Sequence, residues 1–326
     1  MLSRMKFVVL VVVIAVAAAV VGVVSVILVN RFVYSPEGVV RSYFAALEVG
    51  DASSARALPG VLSPGVDPDQ LILLQAAAYT PPSQVAVSAA RVEGGEASVE
   101  ASFVVGGAKE RATFTLVAEP PLWGIFEQWR FAAPPLGQLQ VTVAHDTGFQ
   151  VGEIGEVDIR SYPGGTAEAF SASATFPVFV GAGYEVYRDS ALLTAEPLKV
   201  SVTDSGLREV ALDVAVTPRF VAKVQKEIDA ALTKCVTQTV LMPTGCPFGY
   251  ATENRWLGDA SWSIVTMPRV TIVPGEDSWL ATGDGVARIS GTVQSLFDGS
   301  TSPVEADVEF SLAVPLRVTG PATFAF

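Results

Sequence analysis

His145 and Asp146 are neighbours, and His145 is the chain's single histidine. Imidazole titrates near neutral pH, and a carboxylate can hold it in one tautomer, so this pair is the first candidate for acid–base or nucleophilic chemistry. A Ser-His-Asp site is defined by geometry and not by order along the chain. No serine, however, stands in a Gly-x-Ser-x-Gly elbow. His145 falls where a strand enters a turn before Gly148, so a turn histidine is the competing reading. The two cysteines, Cys235 and Cys246, enclose ten residues that include Pro243 and Gly245. Outside the cytoplasm an even cysteine count points to a disulfide. Two buried free thiols are the plain alternative. A metal site would need more ligands than two cysteines and one distant histidine. Asp284-Gly285 and Asp298-Gly299 read as hairpin turns, because the alternating Asp ladder of a calcium loop is missing. Gly94-Gly95 and Gly106-Gly107 lack the lysine or following helix of a phosphate loop. The remaining candidates are Tyr43, Phe44, Trp123, Phe126 and Trp129, which line a pocket if the first domain is hollow and form its core if it is filled. The expectation is a protein that is not an enzyme, with no catalytic residue, no cofactor and no metal.

The elements that position these residues begin with Phe7 to Val29, an unbroken apolar run in which Ser25 is the only polar side chain. As a helix it is roughly 35 Å long, enough for a hydrocarbon core of about 30 Å. A cleavable leader has a shorter apolar core, and cutting near Ala15 to Ala19 would leave an apolar stretch as the new N-terminus. No face of the run is polar, which disfavours a buried soluble helix. Arg4 and Lys6 precede it, whereas Arg31, Glu37 and Arg41 follow, so the N-terminus is expected in the cytoplasm. The reading is a single-pass protein of the cell membrane: a tail over residues 1–6, a transmembrane helix over 7–29 and an extracytoplasmic body.

Ser35-Pro36 reads as a helix start, and Val40, Tyr43, Phe44 and Leu47 share one face. Asp51 caps a second helix through Leu58, and a third is expected around Asp69 to Tyr79. Four strands follow, at Gln84–Val92, Gly95–Val105, Lys109–Ala118 and Leu122–Ala132, with Gly-Gly hairpin turns. Helices followed by a meander make an α+β domain over residues 36–133. The segments "SPEGVVRSYFAALEVGDASSARAL" and "LWGIFEQWRF" resemble the cystatin-like, nuclear-transport-factor-like fold, through Tyr43-Phe44, Gly50-Asp51, Ala55 and Trp123. That resemblance implies a curved sheet and helices around a cone-shaped pocket.

Residues 138–218 hold Gly-, Thr- and Val-rich strands and form an all-β module. Its "FPVFVGAGYEVYRDSALLTAEPLKVSV" stretch resembles small β-sandwich modules of envelope proteins. In residues 219–326, Phe220, Val224, Ile228, Leu232 and Cys235 keep helical spacing. Strands follow at Ala260–Thr266, Arg269–Val273, Trp279–Thr282, Val286–Leu296 and Val304–Val318, the last alternating Val, Ala, Phe and Leu with Glu305, Asp307, Glu309 and Ser311. The "CVTQTVLMPTGCPFG" segment resembles a cysteine hairpin of actinobacterial membrane-anchored proteins of unknown function. Six Lys against fifteen Arg, with two Asn, matches a GC-rich genome.

The chain carries 21 Lys+Arg and 33 Asp+Glu. Removing Arg4 and Lys6 leaves 19 against 33, or −14, beyond the apolar run. Such a body disfavours nucleic acid as a partner. The expected function is a non-catalytic interaction or scaffold protein of the bacterial cell envelope, with the lipid bilayer and an envelope protein as partners. A ligand-binding or sensing module using the first domain's pocket is the alternative.

Overall fold

The computed structural model describes the backbone of residues 2–320 and 323–325, and the side chains of residues 14, 16–31, 33–320 and 323. The expected tail, and residues 7–13 and 15 of the expected span, lie outside the described side chains. Helix α1 runs from Leu2 to Phe32. Most of its described apolar side chains are exposed: Val20, Val21, Val24, Leu28 and Val29 all face outward, and Val26 is half-buried. Among the described residues no single helix is long and apolar enough to cross a membrane. One pair, Val16–Arg31 with Pro36–Glu48, bent by 61°, passes together on length and composition. The second member of that pair is α2 (Pro36–Glu48), whose Val40, Tyr43, Phe44 and Leu47 are fully buried in the body.

Ser35 accepts the Gly38 N–H at 3.1 Å and Pro36 opens α2, so this start needs no tertiary help. Asp51 caps α3 (Ala52–Ala57) by accepting the Ser54 N–H at 3.0 Å. The expected third helix is absent; Pro68–Leu74 and Ala76–Ala78 form 3-10 turns instead. Leu73-Leu74 and Ala78-Tyr79 are buried as adjacent pairs. One face of an α-helix cannot bury adjacent residues so evenly, and the chain kinks at Leu71 and Gln75 to do it. Strands β1 (Ser83–Val87), β2 (Arg91–Glu93), β3 (Glu96–Val105), β4 (Ala108–Leu122) and β5 (Phe126–Phe131) form an antiparallel sheet ordered β1-β3-β4-β5, with β2 also on β3. Ala97, Val99, Ala101 and Phe103 point inward, as their alternation requires.

The middle residues form β6 (Leu136–Ala144), β7 (Gly148–Val151), β8 (Val157–Asp158), β9 (Thr166–Glu168), β10 (Ser171–Phe179), β11 (Gly183–Asp189), β12 (Leu193–Ser201), β13 (Leu207–Asp213) and β14 (Ala215–Val216). They make two sheets, β13-β6-β10-β9 and β14-β12-β11-β7-β8. Phe149 and Phe176 meet between them at 5.5 Å. Strand β13 pairs parallel to β6.

Helix α4 (Pro218–Cys235) is capped by Thr217 and buries Phe220, Val224, Ile228, Leu232 and Cys235. Strands β15 (Arg255–Thr266), β16 (Thr271–Pro274), β17 (Trp279–Gln294), β18 (Thr301–Gly320) and β19 (Thr323–Ala325) follow, ordered β15-β17-β18-β19 with β16 on β17. The expected turn at Asp284-Gly285 does not exist. Asp284 pairs with Ser311 and Gly285 with Phe310, inside one continuous β17. Glycine serves close packing there, since a Cβ on Gly285 would enter the Phe310 ring.

The chain is therefore a mixed α+β, strand-rich protein with several sheets. Among the described residues the buried hydrophobic side chains, Val293 apart, form one continuous core. The Tyr43 hydroxyl lies 3.0 Å from the Pro135 carbonyl and 2.8 Å from that of Val180. Thr80 and Gly183 exchange backbone hydrogen bonds. Gly181, at φ +98°, lets its backbone approach the Phe44 ring.

Candidate functional site

His145 directly follows β6 in a left-handed conformation, φ +66°. Its backbone N–H donates to the Phe170 carbonyl, and its ring packs on Phe170 and Trp279 at 5.2 and 5.6 Å. Nδ1 lies 3.1 Å from the exposed Asp213 carboxylate. Asp146 turns away and joins Arg188, 2.7 Å from its Nε. His145 thus sits where the middle sheets meet the C-terminal sheet, on a cleft of about 380 Å³ that Thr147, Arg160, Ser278, Trp279 and Arg317 also line. Among the described residues no hydroxyl or thiol hydrogen-bonds to the imidazole. His145 and Phe170 stack on Trp279, so the middle and C-terminal sheets meet here through ring packing, while the Asp213 contact lies within the middle unit. The Trp279 indole N–H is buried there with no hydrogen-bond partner.

Arg188 is the functional-looking residue that sequence reasoning missed. It is 4% exposed and also reaches Glu156, with Nη2 3.1 Å from Oε1. Nη1 is 2.8 Å from Oε2 but poorly aligned, so that contact is ionic rather than a directed hydrogen bond. Burial alone would lower its pKa; the bond to Glu156 and the Asp146 and Glu156 charges outweigh that and raise it. The signal was present in β11, where Tyr184, Val186 and Arg188 alternate onto the inward face.

The five candidate pocket aromatics do not line one cavity. Tyr43 and Phe44 are fully buried and packed edge-on or tilted against Phe103, Phe114, Phe131 and Phe179. Rings from β3, β4, β5 and β10 therefore occupy the space that a cone-shaped pocket would leave. Trp129 is buried on β5. Trp123 is 81% exposed on the β4–β5 turn, and Phe126 beside it is half-buried against Tyr34. Cys235 and Cys246 form a disulfide. It ties the end of α4 to the loop that carries Phe248 onto Trp262 and Phe310. Among the described residues no three His, Cys, Asp or Glu side chains converge on a metal position.

One further feature can act chemically, through backbone and not side chains. Strand β18 pairs with β17 from Thr301 to Leu316, while β19 covers its other edge only from Arg317 onward. Over Thr301–Leu316 that other edge has no strand partner among the described residues. The inward row Val304, Ala306, Val308, Leu312 and Val314 is only half-covered. On the opposite face stand Glu305, Asp307 and Glu309, with Asp284 across on β17. Arg288 spans Glu305 at 3.2 Å and Asp307 at 2.6 Å, and holds the Asp307 carboxyl below the usual range. Arg288 contacts two of the four carboxylates and supplies one positive charge, so the patch of five side chains keeps a formal charge of −3. Edges of this length invite strand addition unless they are protected.

No protein-family model matches the chain, and no curated protein matches it significantly.

Proposed function

We propose that the chain is a non-catalytic, membrane-tethered protein of the bacterial cell envelope whose extracytoplasmic body docks a partner protein along the open edge of β18. The carrying observation is that edge: without an outer strand partner from Thr301 to Leu316 among the described residues, half-covered on its apolar side apart from the buried Phe310 and Leu316, and acidic on the other. Strand addition supplies main-chain hydrogen bonds for affinity and alternate side-chain positions for specificity. The occupant is an extended segment in which apolar residues alternate with Lys or Arg. Its apolar side would continue the row from Val304 to Val314, and its cations would face Glu305, Asp307 and Glu309. A second copy of the chain fits less well, because antiparallel self-pairing about Asp307 or Asp307–Glu309 sets like charges opposite one another.

The tether rests on α1, most of whose described apolar side chains, from Ile14 to Val29, are exposed. Residues 7–29 would cross the bilayer with the N-terminus inside, and the disulfide suits an oxidising compartment. The helix-then-meander order of the first unit supports the cystatin-like resemblance. Its ring-filled interior weighs against a ligand pocket in that unit.

A photo-crosslinking residue placed at Ala313 on β18, in intact cells, should yield an adduct whose partner peptide is extended and basic–apolar. Triple charge reversal, Glu305→Lys with Asp307→Lys and Glu309→Lys, should abolish it. The same probe at Ser263, on the β15 edge, should give none. No adduct from Ala313, an adduct indifferent to charge reversal, or a dimer of the chain itself would overturn the reading.

A further inference from the structure

We propose that the β4–β5 turn is a second membrane contact, a tryptophan wedge that lies in the lipid interface beside the end of α1; this rests on the reading of α1 as the membrane tether. Leu122, Trp123 and Ile125 are 36%, 81% and 53% exposed. Three apolar side chains at one hairpin tip are an unusual surface for a body otherwise rich in carboxylates. The tip is fastened to α1. The Asn30 side-chain amide donates to the Ile125 carbonyl at 2.9 Å, and Tyr34 packs on Phe126 with ring centroids 5.2 Å apart. Val29 and Val33, at the end of α1, are exposed beside it. The exposed apolar surface of α1 therefore runs on into the turn.

The backbone adds a second, independent observation. Trp123 has φ +52° and Gly124 φ +72°. Glycine is at ease there, but a bulky aromatic is strained. An indole in that conformation normally recovers the cost by packing, yet Trp123 touches little besides the edge of Phe126, 6.3 Å away. A lipid interface supplies the missing environment: an apolar medium for the ring and water or headgroup oxygens for its N–H. The nearest carboxylates do not forbid this contact. Glu119 is paired with Arg130 at 3.1 Å; the exposed Glu127 accepts the Trp129 indole N–H at 3.5 Å and shares a cleft with Arg31, which stands exposed on α1. Two contacts, one helix and one turn, fix the tilt of the body on the membrane, where a lone helix would leave it free to swing.

The test uses the full chain reconstituted in phosphatidylcholine vesicles whose acyl chains are brominated just below the headgroup. Trp123 is one of five tryptophans. Wild-type emission should be quenched, Trp123→Phe should lose that quenching, and Trp256→Phe should keep it. Extraction with alkaline carbonate is run in parallel to report on the tether. A chain that resists carbonate but shows no Trp123-dependent quenching overturns the wedge and leaves the tether standing. A chain that carbonate releases overturns both.

Discussion

Tyr43 is the residue on which the first two units close. Its ring meets Phe44, Phe114, Phe131 and Phe179, and its hydroxyl donates into the carbonyls of Pro135 and Val180. Tyr43→Phe keeps the ring and strands the Val180 carbonyl in the interior, while the Pro135 carbonyl still accepts the Val180 N–H, so urea denaturation should show a loss of about 1–3 kcal/mol. Arg188 has the opposite character, since its value lies in charge. Arg188→Met leaves Asp146 and Glu156 facing an apolar side chain and should cost about 3 kcal/mol, the low end for a broken buried pair because Glu156 is partly exposed. Adding Asp146→Asn and Glu156→Gln to that variant should recover most of the loss in the same assay. At this scale the sequence was legible where periodicity speaks. Tyr43 and Phe44 were placed on the inward face of a helix, but whether rings or a cavity lay opposite depended on Phe179, which arrives from another unit. Trp123 and Trp129 look alike in sequence; only the turn separates an exposed indole from a buried one.

Local chemistry decides several elements. Asp51 caps α3, and its pKa is lowered to about 2, first by the Ser53 hydroxyl and then by Ser54. A carboxyl depressed in the folded state stabilises above its ordinary value of 3.8 and loses that contribution as pH falls toward 2. Asp51→Ala should therefore lower Tm at pH 6, and the difference from wild type should vanish by about pH 2 when both are followed by thermal melts. The Cys235–Cys246 bond spans eleven positions, and reduction should cost on the order of 3 kcal/mol, read as a lower urea midpoint in dithiothreitol. Caps and alternation made α2, α3, α4, β3 and β18 readable beforehand. The Asp284-Gly285 dipeptide misled because the same glycine that permits a turn also permits Phe310 to lie across a strand. The third helix failed because burial of adjacent residues outweighed a weak helical pattern.

Across the whole molecule, three expected domains share one interior. Thr80 pairs with Gly183, and Thr217 donates through both N–H and hydroxyl to Leu192 and Ala191 at the entry to α4. His145, Phe170 and Trp279 stack where the last sheet meets the middle ones. Sequence patterns gave the order of these units and not their fusion, because the joining contacts are single residues far apart in the chain. A shared interior of this kind suits the proposed presenting role, in which α1 and the Trp123 turn would meet the bilayer and one long strand edge would take a partner. If β18 is a docking edge, it is occupied in place. Backbone amide exchange of the chain in native membranes, compared with the purified full chain, addresses that directly. Exchange in membranes should be slower by at least about tenfold, confined to Val304–Val314 of β18, with α4 unchanged. Equal exchange of β18 in both preparations would contradict it.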